Sequence, residues 1–246
     1  SVLPARRGPH LDTLAILTDR WGWQEQVLAT AARRAGLAPI AVSVRDAIVD
    51  TTAGAHGIGF PGLTPHLPDA VFVRAIPAGS FEQVTLRLAY LHALADLGVL
   101  VYNDAPSIER TIDKGATTLA LHRCGVPQPD TWVCESPGAL HAVVARECRD
   151  GGTLVAKPLF GNRGKGLRLV TGPADLPAAE AFAGVWYLQR FVGSRTGASD
   201  WRVFVVGGRA IAAMQRRGDG WITNRHQGGT CLAAPLTGEL AALAEA

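Results

Sequence analysis

Residues 12–102 run twice through the same sequence pattern, and that pattern restricts the fold more than any other feature of the chain. A short apolar run at 12–18 reads as a strand, Asp19-Arg20 as a polar turn, 26–35 as a helix closed by Gly36, and 39–44 as a second strand. The cycle returns with 70–74, a helix over 81–97 stopped at Gly98, and 99–102. Short strands alternating with helices of this length predict an open parallel sheet with helices on its faces. The reading is an N-terminal α/β domain over residues 1–104. The Gly-, Pro- and His-rich stretch 51–68 reads as a loop near the open end of that sheet, where loops commonly line a ligand crevice. His56 and His66 within it also read as solvated loop residues, and no role is assigned to them.

The rhythm then changes. Helical runs at 107–113 and 116–123, with Ser107 as an expected cap, end at Gly125 before the break Val126-Pro127-Gln128-Pro129. Strand 131–133, helix 137–149, a lysine-bearing hairpin, helix 174–183 and strand 185–192 complete a small α+β unit over 105–192. Two more strands, 200–206 and 209–216, meet at Gly207-Gly208, a strong two-residue hairpin signal. They open a further subdomain over 193–246, which closes with a helix over 236–246. The fold class expected is therefore α/β and α+β.

Bulk properties narrow the function. The 246 residues, 48% hydrophobic and 18% charged, suffice for two modest domains with buried cores. No apolar run reaches the roughly 20 residues of a membrane-spanning helix, and residues 1–10 have no apolar segment of the signal-peptide kind. A cytoplasmic protein without a membrane partner is the expectation. The net charge of +3 is spread along the chain, which argues against nucleic acid as a partner. Cys124, Cys134, Cys148 and Cys231 show no Cys-x-x-Cys pair and no metal-ligand rhythm, so buried free thiols are expected.

Positive charge is distributed unevenly by residue type: three lysines stand against twenty-one arginines. Lysine holds phosphate as a compact point charge, whereas arginine forks onto it. Lys157 and Lys165 share the stretch 154–170, which reads as strand, glycine-rich turn, strand. Gly161, Gly164 and Gly166 let the backbone bend and bring N–H groups close to an anion, although such a hairpin alone also reads as a simple tight turn. It is neither a Walker loop nor a dinucleotide fingerprint, because it joins strand to strand and lacks Gly-Lys-Ser or Gly-Lys-Thr. A lysine after Leu154-Val155-Ala156 asks for an anion, the alternative being an edge lysine in water. Lys114 has a weaker local case, since a helical Asp-Lys pair is ordinarily surface.

These residues, in order and spacing, resemble the ATP-grasp superfamily and, within it, the RimK-like amino-acid ligases. The resemblance runs from Asn103 to Gly229. It rests on Asn103, Ser107-Ile108-Glu109-Arg110, Asp113-Lys114, Thr117-Thr118, Gly125-Val126-Pro127 and Lys157-Pro158, and on Gly161, Gly164-Lys165-Gly166 and Gln189-Arg190-Phe191. Asp200-Trp201-Arg202, Arg216, Thr223-Asn224 and Gly228-Gly229 complete it. It implies an ATP-grasp fold behind the N-terminal sheet domain, with ATP phosphates under the hairpin reached by Lys114 and Lys157. It implies adenine recognition by Gln189, Arg190 and Phe191, and a ribose-side place for Asp200. Arg202 and Arg216 would lie near the transferred phosphoryl group, as catalytic residues, and Asn224 close to the triphosphate. Arg202 also reads as a surface cation beside Asp200, and Gln189 as a strand-edge amide.

The resemblance further implies an ATP-dependent carboxylate–amine ligase that works through an acyl phosphate. Its partners would be a small-molecule carboxylate acceptor and an amino acid, glutamate by the pointer 221–224, in a tetrahydromethanopterin or deazaflavin type of pathway. A homo-oligomer is left open. The family's magnesium ligands, an Asp and then a Glu-x-Asn, follow the region of Gly228-Gly229. Here only Glu239 and Glu245 come after Asp219. Six positions of helix is about 600° of rotation, which puts the two on different faces. Mg2+ is thus expected as a cofactor without ligands in this chain, either because the chain is C-terminally shortened or because another subunit completes the site. Weak or no turnover of this chain alone, with nucleotide binding retained, is the corresponding expectation. Ile222 stands where relatives often have arginine. A reading from another class, a non-catalytic nucleotide-binding module, stands beside the ligase.

Overall fold

The computed structural model of the chain describes residues 12–52, 56–63, 66–161, 164–193 and 195–246. Contacts divide the chain into two compact units, Ser1–Glu109 and Arg110–Ala246.

In the first unit the order is β1 (Thr13–Leu17), α1 (Trp23–Arg34), β2 (Ala38–Val42), β3 (Ile48–Val49), β4 (Ile58–Gly59), β5 (Ala70–Val73), α2 (Phe81–Asp96) and β6 (Leu100–Tyr102), followed by α3 (Ala105–Ile112), which runs across the division at Glu109. Strands β2-β1-β5-β6 form one parallel sheet, with Ala15 opposite Ile40 on one side and Val71 on the other. The core joins Leu17, Val71 and Val73 of the sheet to Leu88, Leu91 and Leu94, which recur every third residue on α2 and so share a face. Full burial of a leucine such as Leu91 or Leu94 contributes about 2 kcal/mol. Helix α2 begins with a capping box in which the Ser80 hydroxyl accepts from Gln83 N and the Gln83 side chain accepts from Ser80 N. Asp69 staples the start of β1 by accepting from Asp12 N, Thr13 N and the Thr13 hydroxyl.

The second unit contains α4 (Lys114–Arg123), β7 (Thr131–Cys134), α5 (Pro137–Glu147), β8 (Leu154–Pro158), β9 (Arg168–Val170), β10 (Trp186–Arg190), β11 (Ser199–Val206), β12 (Arg209–Arg217), β13 (Thr230–Ala234) and α6 (Gly238–Glu245). An antiparallel sheet β7-β10-β8-β9 packs Leu154, Ala156, Val170, Trp186 and Leu188 with Leu140 and Val144 of α5. A second antiparallel sheet, β11-β12-β13, is built on the Gly207-Gly208 hairpin. Both glycines have positive φ, 58° and 76°, as a type I′ turn requires.

Four local expectations need correction. The helix expected over 174–183 is two 3-10 turns, Pro173–Asp175 and Ala179–Phe182, because Pro177 forces Leu176 to an extended ψ of 129°. Ser107 lies inside α3, and its N–H donates to Asp104 Oδ1 at 2.9 Å, so Asp104 does the capping. The loop 51–68 contributes β4, which pairs with β3. Cys124 and Cys231 are exposed instead of buried, one at the C-terminal end of α4 and one on an outer strand, while Cys134 and Cys148 are half-buried; all four are free.

Candidate nucleotide site

Lys157 stands on β8, between β10 and β9, although the β9 pairing ends at Ala156, one residue earlier. After three buried residues, Leu154 to Ala156, its ammonium is half-buried and reaches across to β10. There Nζ donates to Gln189 Oε1 at 2.6 Å and lies 5.5 Å from the centroid of the Tyr187 ring. An ammonium has three donors, so two remain without a protein acceptor among the described residues.

Gln189 is held from behind. Its Nε2 donates to Thr131 Oγ1 at 2.9 Å and to Tyr187 OH at 3.2 Å, and Tyr187 OH shares a hydrogen with Thr118 Oγ1 at 2.8 Å. Tyr187 and Gln189 are two apart on one strand, so they face the same side, and Lys157 is the register partner of Tyr187. The carbonyl oxygen presented to Lys157 is therefore oriented by α4, β7 and β10 together. Tyr187 was not singled out from the sequence; the period-two spacing with Gln189 was the available signal.

Lys114 opens α4, whose cap is Asp113, accepting from Gly115 N and Ala116 N. Its Nζ donates to the carbonyls of Pro158, Leu159 and Gly161 at 2.7, 3.0 and 3.1 Å. All three donors are engaged at the base of the glycine-rich turn, which Lys114 thereby fastens to α4. Burial pushes both ammonium groups below the ordinary lysine range. The Lys114 charge pushes Lys157 further down, and Asp113 partly offsets the effect at Lys114. Two ammonium groups close enough to repel set up a local positive field that an anion would relieve.

The turn needs glycine for steric reasons. Gly164 has φ of 72°, and a Cβ there would lie 2.7 Å from Asn224 Oδ1, so the turn rests directly on the Asn224 side chain. Gly166 approaches the Pro158 ring in the same way. Lys165 is exposed and has no partner among the described residues.

Thr223 and Asn224 join the turn to the second sheet. Thr223 donates to Asp200 Oδ2 at 2.5 Å, and Arg216 clamps the same carboxylate through Nε and Nη2 at 2.8 and 2.5 Å. Asp200 and Arg216 are register partners, which makes this fork a cross-strand pair. Arg202 Nε lies 3.6 Å from Asp200 Oδ1 and is otherwise exposed. Burial would raise the Asp200 carboxyl, but the Arg216 and Thr223 bonds outweigh it and hold the group below the usual carboxylate range.

Lys114, Lys157, Gly161, Gly164, Gly166, Gln189 and Asn224 are thus brought together around one turn. Asp200 and Arg216 are engaged with each other, so neither is free for ribose or phosphoryl without exchanging partners. Arg190 points to the other side of its strand, paired with Glu147 at 2.5 Å and Asp130 at 3.3 Å. Phe191 packs edge-on against Trp221, with ring centroids 6.1 Å apart, and so ties the end of β10 to residues 218–224. Among the described residues no group of three or more His, Cys, Asp and Glu side chains is placed to hold a metal ion. These residues do not fit a magnesium site. A separate cavity of about 250 Å3, lined by Pro158 to Phe160, Glu180 to Ala183 and Val185, is mostly apolar and carries no cation.

Residues 111–245 match the family described as the RimK-like ATP-grasp domain. A tetrahydromethanopterin:alpha-L-glutamate ligase of Methanosarcina acetivorans is 31% identical over 93% of this chain and 75% of its own length. A protein of the same name from Methanococcus maripaludis is 38% identical over 58% of this chain, which spans half of that relative's length. Among solved structures, the RimK domain ATP-grasp protein of Sphaerobacter thermophilus superposes with a TM-score of 0.66 at 23% identity, covering 95% of this chain and 80% of that one. The ATP-grasp ligase PsnB, solved with a phosphomimetic precursor variant, Mg and ADP, gives 0.65 at 20% identity, over 96% and 81%. The likeness to these structures establishes the fold as ATP-grasp, and the match over 111–245 with the sequence relatives establishes more: the chain belongs to the RimK-like ATP-grasp family.

Proposed function

We propose that the chain binds the triphosphate of ATP at Lys114 and Lys157 and serves an ATP-dependent carboxylate–amine ligase that adds L-glutamate to a small molecule or cofactor. One observation supports this most strongly: Lys157 keeps two donors unspent in a half-buried place beside a second ammonium. Partial burial of a cation with unspent donors is costly, and an anion beside it offsets that cost. The glycine turn adds backbone N–H groups and close approach.

In the reaction proposed, a carboxylate oxygen of the acceptor attacks the γ-phosphorus of ATP. The bond to the β-γ bridging oxygen breaks, giving ADP and an acyl phosphate. The amino group of glutamate then attacks the acyl carbon, loses a proton and expels inorganic phosphate, leaving an amide. Such transfer asks for positioning and charge neutralisation more than for a protein nucleophile. From this chain, Lys157 and, after release from its carbonyls, Lys114 would neutralise the phosphates, with Arg202 contributing at the transferred group. Magnesium would add Lewis-acid neutralisation, but no set of described residues fits it.

The names of the sequence relatives favour a pterin-type acceptor and glutamate as the amine. The test is ADP release by the chain with ATP, magnesium, glutamate and a panel of carboxylate acceptors including tetrahydromethanopterin. Glutamate-dependent release far slower than a ligase with a complete acidic metal cluster is the expected result, because no set of described residues fits magnesium. Nucleotide binding without release from any acceptor would instead favour a non-catalytic nucleotide-binding module, a reading in keeping with the absence of an acidic metal cluster among the described residues.

A further inference from the structure

The Lys114 ammonium stands inside a cage of backbone oxygens. Its Nζ donates to Pro158 O, Leu159 O and Gly161 O at 2.7, 3.0 and 3.1 Å, so three carbonyls from one short segment converge on a single point. An ammonium has three donors, and all are spent here. To reach a phosphate, Lys114 must leave the cage. The three carbonyl dipoles would then face one another across a half-buried point with nothing positive between them.

The cage does not depend on the ammonium for its shape alone. Pro158 ends β8 in register with Trp186 of β10, which fixes where its carbonyl lies. The far side of the turn closes on the same residue, since a Cβ on Gly166 would come within 2.8 Å of Pro158 Cγ. The base of the turn is therefore held by the sheet and by the turn itself.

What could replace the ammonium follows from the donor set. Neutral carbonyl oxygens spaced for an ammonium suit an ion of similar size and charge, as backbone carbonyls do in potassium-selective pores. Sodium and lithium are too small to touch all three at this spacing. Magnesium asks for octahedral oxygens at about 2.0–2.1 Å and is commonly held through carboxylates, neither of which the cage offers. Charge points the same way. Asp113 acts favourably on a cation at this point, whereas the Lys157 ammonium opposes one, so a further positive ion needs an anion close by. A triphosphate drawing Lys114 out would bring that anion.

We propose that the carbonyls of Pro158, Leu159 and Gly161 form a site for a potassium-sized monovalent cation, filled by the Lys114 ammonium in the nucleotide-free chain and by the ion once Lys114 turns to a triphosphate. The exchange rests on the nucleotide binding proposed above; the cage itself does not. Ion and nucleotide then raise each other's affinity by one common factor, because both act on the position of Lys114. The ion also keeps the base of the glycine turn fastened after its lysine has gone.

The test compares the full wild-type chain with Lys114→Ala, which takes the ammonium out of the cage, in potassium, ammonium, sodium and choline chlorides at equal ionic strength. Without nucleotide, potassium and ammonium should each raise the thermal midpoint of Lys114→Ala by about 2–4 °C over sodium and choline. The wild type should not respond, because its own lysine fills the cage. With a non-hydrolysable ATP analogue, wild-type affinity by calorimetry should be about fivefold or more higher in potassium than in choline. One midpoint for Lys114→Ala in all these salts overturns the site. Potassium-specific stabilisation of the variant, with wild-type analogue affinity indifferent to the salt, overturns the exchange. If Lys114→Ala shows no cooperative transition in any salt, the wild-type salt dependence decides, and its absence overturns the proposal. Potassium-specific stabilisation of the variant, in a chain that binds no analogue, upholds the cage and refutes the nucleotide reading.

Discussion

Lys157 is oriented by side chains from three other elements, β7, β10 and α4. Gln189 gives it an acceptor, and Tyr187, Thr131 and Thr118 hold Gln189 in place. Gln189→Leu removes that acceptor while leaving the side-chain volume, and the expected result is about a tenfold loss of affinity for an ATP analogue by calorimetry. Tyr187→Phe keeps the ring beneath the ammonium and removes one hydroxyl, so the loss should be smaller, about 0.5–1 kcal/mol. The pH dependence has a defined sign. Burial and then Lys114 depress the Lys157 pKa, so the unliganded ammonium loses its proton at lower pH than an ordinary lysine. Analogue affinity should be fully present below that value and fall as pH rises through it, with proton uptake on binding seen as a dependence of the calorimetric heat on buffer. A flat profile up to the ordinary lysine range would contradict the assignment. Lys157 itself was legible in the sequence because lysine is scarce and the strand before it is apolar. The Thr118–Tyr187 bond was not, since it joins residues 69 apart and exists only once the sheet has formed.

The strand and helix elements carry the second group of predictions. Gly164→Ala puts a methyl group against Asn224 Oδ1 at a positive φ, so the turn must shift. The variant should fold, lose about 1–2 kcal/mol of stability, and bind the analogue more weakly. In the second sheet, Asp200→Asn breaks the Arg216 fork. With the pair partly exposed and therefore screened, a loss of about 1–2 kcal/mol by denaturant titration is expected. The folded Asp200 carboxyl is depressed, so its contribution is present above the unfolded carboxylate pKa and is lost as pH falls through the folded value. The variant should lack that part of the acid limb, and an identical pH profile would remove Asp200 from the account. Strand and helix alternation through 12–102 could be read from periodicity, because each element there is set by its own apolar spacing. The turns at 173–182 could not, because alanine-rich composition masked the effect of Pro177. Strand β13 went unread as well, since Thr-Cys-Leu-Ala-Ala has no period-two alternation and is made a strand by pairing with β12.

At the scale of the whole molecule, family membership agrees with what scarce lysines and a strand-to-strand glycine turn imply, while the site's finer wiring came from tertiary structure alone. Two arginines expected near phosphate illustrate the difference. The resemblance to the family placed both there, but the fold engages Arg216 with Asp200, and Arg202 retains only a long contact to the same carboxylate. The acidic metal cluster implied by the family is not found among the described residues, and the relatives extend well beyond the matched length. The central claim is that Lys157, beside Lys114 and beneath the glycine turn, holds the triphosphate. Calorimetric titration of ATP into the wild-type chain and into Lys157→Ala tests it most directly. The account predicts measurable binding by the wild type and none by a variant that keeps its far-ultraviolet spectrum and thermal transition; equal affinity in the two would contradict it.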